Sequence, residues 1–337
     1  MYKVAILGYR QQAKSHHAPA FAKNPDCEIV AVCDVVEGRA REGAETYGVP
    51  AYLDADEMLE KEEIDIVDIP VGEQYRFDLV MKCLKRDKHV FTEKPLAAAE
   101  GQMKIKLSDV PKARAMIDEW QKRNRGVGDP PHVQFGICFC LHGGSNVRWA
   151  KEFIRHHGDE YGDLMVVQGR CAWGSWAHVI DLFRFFGGEV AEVFAYHDGS
   201  DEWAAKTVAV KFESGAIGTL MMCSSLALQY EIKWIAKNGE VVIQDIGGVA
   251  WARRADSSEY TFFNEQGSVS RSTYLTLFDE HIAEFVDSIK EGKPFDADGW
   301  AGLRHMEIDG AIGESIITGK PVKVERYMPE KGHTICV

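Results

Sequence analysis

His89-Val90-Phe91-Thr92-Glu93-Lys94-Pro95 is the stretch that decides the fold. Its first four residues form a short apolar run, as in a strand buried on both faces. The run delivers a glutamate, a lysine and a proline, in that order, to its carboxyl end. In a doubly wound α/β sheet that end is where a cofactor meets its substrate. Proline fixes its own φ and keeps the residue before it out of the helical region, so Lys94 is expected extended at the mouth of a cleft. A cation there can reach both a bound dinucleotide and a substrate hydroxyl. A surface lysine is the plain alternative, and what precedes the tripeptide selects between the two.

Upstream, strands and helices alternate. Val4–Leu7 is an apolar run ending at Gly8. A helix is expected from about Ser15, a second strand over Glu28–Cys33 ending at Asp34, and a helix over Glu37–Tyr47 stopped by Gly48. Ile64–Ile69 reads as the third strand. Phe77, Val80, Met81 and Leu84 then recur at helical spacing, as do Ala113, Met116, Ile117 and Trp120 after the His89–Thr92 strand. Val133–Phe139 closes the series. Such alternation predicts a parallel sheet with right-handed crossovers, a Rossmann-type domain over residues 1–137. Arg123–Pro131 reads as a flexible connector and Lys104–Ser108 as extra length.

From Cys138 the pattern changes to one helix, Trp149–His157, and then many strands. These are expected at Leu164–Trp173, Val190–His197, Thr207–Phe212, Ile217–Ser224, Glu231–Ala236 and Glu240–Asp245, several joined by glycine-bearing turns. Phe278, Ile282, Phe285 and Ile289 mark an amphipathic helix, and Leu303–Ile317 a last one. Residues 138–337 therefore form a second, α+β domain with a large open mixed sheet, mostly antiparallel.

Composition narrows the functional classes. A length of 337 residues favours two domains over one core. With 52 acidic and 39 basic side chains the formal charge is −13, which repels nucleic acid and anionic membranes. No apolar run approaches the roughly 20 residues of a membrane helix. The opening Met1-Tyr2-Lys3 leads straight into a strand, so no signal peptide is expected. The eight cysteines show no paired framework. A soluble cytoplasmic protein is expected.

A dinucleotide fingerprint would place glycines at 8, 10 and 13, and the chain offers Gly8, Arg10 and Ala13. Gly8 serves the tight turn, and Ala13 is small enough for helix and strand to approach. Arg10 stands where backbone should press on pyrophosphate; its guanidinium either contacts a phosphate oxygen or points to solvent. Asp34, at the end of the second strand, is where a carboxylate accepts the adenosine ribose hydroxyls, unless it merely caps a helix. A carboxylate repels a 2′-phosphate and favours NAD, while Arg10, Lys14 and Arg39 leave NADP open.

With Gly8-x-Arg10-x-x-Ala13-x-x-His16, Asp34 and Glu93-Lys94-Pro95 in place, the chain resembles the Gfo/Idh/MocA family (glucose-fructose oxidoreductase, inositol dehydrogenase, rhizopine catabolism). The likeness continues through Lys88-His89-Val90, the Phe212–Gly218 hairpin and Gly319-Lys320-Pro321-Val322. The resemblance implies an NAD(P)-dependent oxidoreductase of sugars, polyols or cyclitols, with a second-domain sheet used for homo-oligomerisation. It also implies a catalytic histidine in a pattern Asp-x-Gly-x-His-x-x-Asp. Here His178 and Asp181 match, but Gly174 stands for the first aspartate and Trp176 for the glycine.

Alcohol oxidation by hydride transfer needs a base for the hydroxyl proton, and imidazole titrates near working pH. His178 is the expected base. Lys94 would polarise the substrate oxygen, with Glu93 beside it at the cofactor. Asp181, one turn from His178, would orient the imidazole or bind substrate. With the acid missing at 174, Asp181 and His142 are the candidates to replace it. Trp173 and Trp176 flank the gap and could stack on a sugar ring, or belong to the core. Cys138-x-Cys140-x-His142 lacks the spacing of common zinc modules and reads as a buried strand rather than a metal site. His16 matches a family histidine and is expected in cofactor-cleft packing. Hydride exchange with a secondary alcohol of a sugar, cyclitol or glycoside is the leading expectation. The alternatives are a redox-assisted glycosidase or lyase, and a dinucleotide-binding regulator without chemistry.

Overall fold

The computed structural model describes residues 1–124, 132–201, 203–226, 229–246, 248–263 and 273–328. The expected connector therefore lies, beyond Asn124, outside the described residues. Contacts divide the described chain into two compact units. The first takes residues from Met1–Ala99, Pro111–Phe139 and Phe278–Leu303, and the second from Glu100–Val110, Cys140–Leu277 and Arg304 onward.

In the first unit, β1 (Tyr2–Leu7), β2 (Cys27–Cys33), β3 (Ala51–Tyr52), β4 (Ile66–Ile69), β5 (His89–Thr92) and β6 (Phe135–Ile137) form one parallel sheet in the order β3-β2-β1-β4-β5-β6. The strand order reverses between β1 and β4, and ligands of such sheets bind outside the carboxyl ends at that point. Val4, Ala5, Ile6, Val67, Val90 and Phe91 are fully buried. Each large side chain among them contributes about 1.5–3 kcal/mol. Helices α1 (Ala18–Lys23), α2 (Glu37–Tyr47), α3 (Ala55–Lys61), α4 (Glu73–Leu84) and α5 (Val110–Arg123) connect the strands.

Two details differ from expectation. The first helix opens with a π turn over Ala13–His17, and β3 and α3 occupy a stretch where sequence reading placed no element. The signal for α3 is plain in hindsight: Asp54 accepts the N–H of Glu57 at 2.9 Å, an N-cap three residues before an acidic one.

The late segment Phe278–Leu303 joins this unit for a packing reason. Phe285 sits 5.0 Å from Phe91 and 5.4 Å from Phe295, ring centre to ring centre. A Cβ on Gly136 would meet the Phe285 ring at 2.6 Å, so glycine admits it. The Ile137 N–H donates to Ala297 at 2.8 Å.

The second unit is a nine-stranded sheet with helices α6 (Ser145–Tyr161) and α7 (Trp176–Gly187). Its strands are β7 (Leu164–Cys171), β8 (Val190–His197), β9 (Ala205–Phe212), β10 (Ile217–Cys223), β11 (Tyr230–Ala236), β12 (Gly239–Gln244), β13 (Val249–Arg254), β14 (Thr261–Phe262) and β15 (Val322–Lys323). The order is β14-β13-β12-β11-β7-β10-β9-β8-β15, antiparallel except for β7 beside β10. Alternation of buried and exposed residues along β9 and β10 gives one covered and one open face. Helices α8 (Tyr274–Glu291) and α9 (Gly299–Thr318) each contribute residues to both units.

Candidate active site

The nucleotide side is built around the switch point of the first unit. Gly8 has φ +104°, and a Cβ there would meet Val71 Cγ1 at 2.4 Å, so β1 can turn beside the end of β4 only with glycine. Asp34, at the end of β2, accepts the N–H of Tyr9 and that of Val36, each at 2.8 Å, and Arg39 lies 3.6 Å away. It does not cap α2, whose N-cap is Val36. Its carboxylate ties the Gly8 loop to β2. Ala13 is fully buried, Arg10 is exposed, and Lys14 pairs with Glu42. These groups fit a dinucleotide: a glycine cradle that tolerates no side chain, beside a carboxylate at the ribose position.

Next to this loop lies a fully buried charge cluster. The π turn aims successive histidines differently: His16 stacks on Phe278, centroids 4.4 Å apart, while His17 enters the interior. His17 Nδ1 lies 2.8 Å from Asp68 Oδ1 on β4, and Nε2 lies 3.1 Å from Glu93 Oε1. Burial alone would lower its pKa, but the two carboxylates lift it to about 10, so it is an imidazolium. Burial pushes Asp68 up. Burial would do the same to Glu93, yet His17, Lys94 and Arg76 hold it at about 2. Glu93 Oε2 accepts the backbone N–H of Lys94 at 3.1 Å. Beyond Lys94 the peptide to Pro95 is cis, and the Pro95 carbonyl accepts from buried Arg76. Arg76 also donates to Val71 at 2.6 Å, and burial draws its pKa down to about 10.

His17, Glu93 and Cys138 bring ligand atoms within 4.8 Å of one another. Both nitrogens of His17 are already committed to carboxylates, which opposes a metal there. The expected Cys138–His142 strand is not one: β6 stops at Ile137, and Cys140–Gly143 is a 3-10 turn.

In the second unit, His178 lies in the first turn of α7, with Asp181 one turn on, both buried. Asp181 Oδ2 lies 2.5 Å from His142 Nε2, and Arg184 lies 3.9 Å from Oδ1. The two residues named as replacements for the missing acid are thus bonded to each other. Gly174 sits in a 3-10 turn over Trp173–Ser175, where a Cβ would meet nothing within 4 Å. Trp173 is 42% exposed. Trp176 corrects the sequence reading: it is 1% exposed and cannot stack on a sugar. Its Nε1–H donates to Asp309 Oδ1 at 3.1 Å, and Lys206 Nζ lies 4.9 Å from its ring centre.

Comparison with known proteins fits this geometry. Residues 2–122 match the Gfo/Idh/MocA profile, described as an oxidoreductase family with an NAD-binding Rossmann fold. The chain is 26% identical to myo-inositol 2-dehydrogenase of Thermotoga maritima, over 93% of this chain and 96% of that protein. It is 23% identical to inositol 2-dehydrogenase of Rubrobacter xylanophilus, over 97% and 94%. Its fold superposes on levoglucosan dehydrogenase in complex with NADH and levoglucosan with a TM-score of 0.80, at 18% identity, covering 96% of this chain and all of that one. Residues 2–122 thus carry the NAD-binding domain of the Gfo/Idh/MocA oxidoreductase family.

Over these residues it has the NAD-binding Rossmann fold of an oxidoreductase. Sequence reasoning missed His17, Asp68, Arg76, Lys206 and Asp309. Asp68 carried a visible signal, a carboxylate inside the run Ile66-Val67-Asp68-Ile69, which a buried strand tolerates only with a partner. Lys206 and Asp309 are 103 positions apart and gave none.

Proposed function

We propose that this chain oxidises a secondary alcohol on a sugar or cyclitol ring, with Lys94 and His178 as its catalytic residues. The chain is an NAD-dependent sugar or cyclitol dehydrogenase, and these residues are the ones suited to its chemistry. Bound NAD supplies the hydride acceptor; Gly8, Asp34 and Arg39 would hold it. Lys94 donates to the substrate oxygen and stabilises the alkoxide character that grows as the carbon–hydrogen bond breaks. His178 takes the hydroxyl proton. Alcohol thus becomes ketone, losing one hydride and one proton. The His142–Asp181 pair keeps a carboxylate one helical turn from His178, in place of the acid absent at 174. Trp173 offers an exposed ring to the apolar face of the substrate.

One observation carries this reading: the Glu93-Lys94-Pro95 turn follows β5 at the carboxyl edge of the parallel sheet and is pinned on both flanks. The test is NADH absorbance with myo-inositol, levoglucosan and alkyl glucosides. Lys94→Ala should lower kcat by about 10²–10³-fold, with the NAD dissociation constant nearly unchanged. His178→Gln should lower it by about 10²–10⁴-fold. Undiminished turnover in Lys94→Ala would remove the proposal.

Two coarser features complete it. No described helix is long and apolar enough to cross a membrane, and the seven described cysteines form no disulfide; we place the protein in the cytoplasm. The open face of the large sheet exposes Tyr196 (65%) and Ile217 (56%) near Phe194 and Met221. We assign it to a homo-oligomer contact, to be checked by light scattering of wild type and Ile217→Lys.

A further inference from the structure

We propose that His17 is a positioning residue for Lys94, acting through Glu93 rather than touching cofactor or substrate. The inference rests on the catalytic role given to Lys94 above.

Four links run from one strand end to the next. Asp68 on β4 holds His17 at Nδ1, and His17 holds Glu93 at Nε2. Glu93 receives the Lys94 N–H on its other oxygen, and on the far flank Arg76 donates to the Pro95 carbonyl. Every side chain in this chain of contacts is buried. Solvent cannot replace any of them, so the turn has one low-energy arrangement while the set is intact.

The chemistry of the group matters as much as its place. A buried glutamate with no cation takes up a proton or recruits the nearest positive charge. The nearest one along the chain is Lys94 itself. By occupying Glu93 Oε1, His17 supplies a counter-charge from inside the fold, beside those of Lys94 and Arg76. His17 therefore fixes, through Glu93, the backbone that carries Lys94. A one-ångström misplacement of a reacting group costs up to about 10²-fold in rate.

The π turn is what makes this possible. It carries His16 onto Phe278 and His17 inward from adjacent positions, so one short segment serves both the packing of the first helix and the Lys94 turn.

The test uses the full chain with NAD and whichever of myo-inositol and levoglucosan the wild type oxidises. His17→Gln should lower kcat by about 10–100-fold, with the NAD dissociation constant changed less than about threefold. In the Glu93→Gln background the same substitution should add less than about threefold, because both act on one link. A folded His17→Gln protein with wild-type kcat overturns the proposal, as do losses that multiply in the double variant or fall wholly on NAD binding. Should His17→Gln fail to fold, Glu93→Gln alone decides: it must lower kcat at unchanged NAD affinity. A readout without substrate is the resonance of isotopically dimethylated Lys94 in the NAD complex, which must move in Glu93→Gln and His17→Gln. Full turnover in Lys94→Ala sinks the catalytic role itself. A dead Lys94→Ala beside an unaffected His17→Gln sinks the positioning role alone.

Discussion

Each unit buries a charged cluster next to a candidate catalytic residue, and the two clusters have opposite fates. In the first, His17 touches Asp68 and Glu93 directly, and contact keeps both His17 and Glu93 ionised. In the second, Lys206 and Asp309 meet across Trp176. Lys206 donates to the Met103 carbonyl at 2.8 Å and faces the Trp176 ring, while Asp309 takes the indole N–H and lies 3.9 Å from His305. Without a direct bond between them, burial pulls the Lys206 pKa down and lifts Asp309 to about 6. The same low dielectric leaves His17 and Glu93 charged and drives Asp68, Lys206 and Asp309 toward neutrality. What decides is how many opposite charges lie within reach: His17 has two carboxylates and Glu93 has three cations, whereas Asp68 has His17 alone and is pushed up.

The largest effect should come from stranding the first cluster. His17→Leu leaves two buried carboxylates without their cation, at a cost of about 3–5 kcal/mol by denaturant unfolding. A loss under about 1 kcal/mol would put the two clusters on the same footing. Lys206→Met should cost less, about 1–3 kcal/mol, because Asp309 can bind a proton and keeps the Trp176 N–H. If it costs as much as His17→Leu, the contrast is broken.

The pH dependence sharpens the comparison. For His17 the folded pKa is raised, so its stabilisation is complete below 6.5 and fades as pH rises toward 10. The slope is at most about 1.4 kcal/mol per pH unit. Asp309 is also raised, from 3.8 to about 6, so its contribution fades between pH 4 and 6. Glu93 runs the other way: its stabilisation is present above 4.5 and is lost as pH falls toward 2. Unfolding free energies from pH 4 to 10 should therefore lose the upper slope in His17→Gln and the lower one in Asp309→Asn. The smallest effect is expected from Trp176→Phe, which keeps the ring but removes one N–H, for about 1 kcal/mol. A much larger loss would mean that the indole fixes the start of α7, two residues before His178.

Much of this was legible in the chain. The parallel sheet, the open second sheet and the β5 turn follow from apolar runs punctuated by glycine and proline. Helix α2 and strands β5 and β8 fall where the pattern put them. The two-residue strands β3, β14 and β15 were missed because so short a piece carries no period. The His17 cluster was missed for another reason. A helix read from Ser15 with regular spacing gives no hint that a π turn rotates His17 inward, so its partners on β4 and β5 could not be matched to it. Trp176 was misplaced because an aromatic beside a vacancy looks like a ligand platform, and its anchor, Asp309, lies on a helix 133 residues away.

The excursion of Phe278–Leu303 into the first unit carries a consequence for biosynthesis. On the ribosome the nucleotide-binding half emerges first, yet Phe91 and Gly136 must wait for Phe285 until most of the polypeptide has been translated. That half cannot mature cotranslationally by itself, and no single cut would release it whole. Its completion is tied to the synthesis of everything in between.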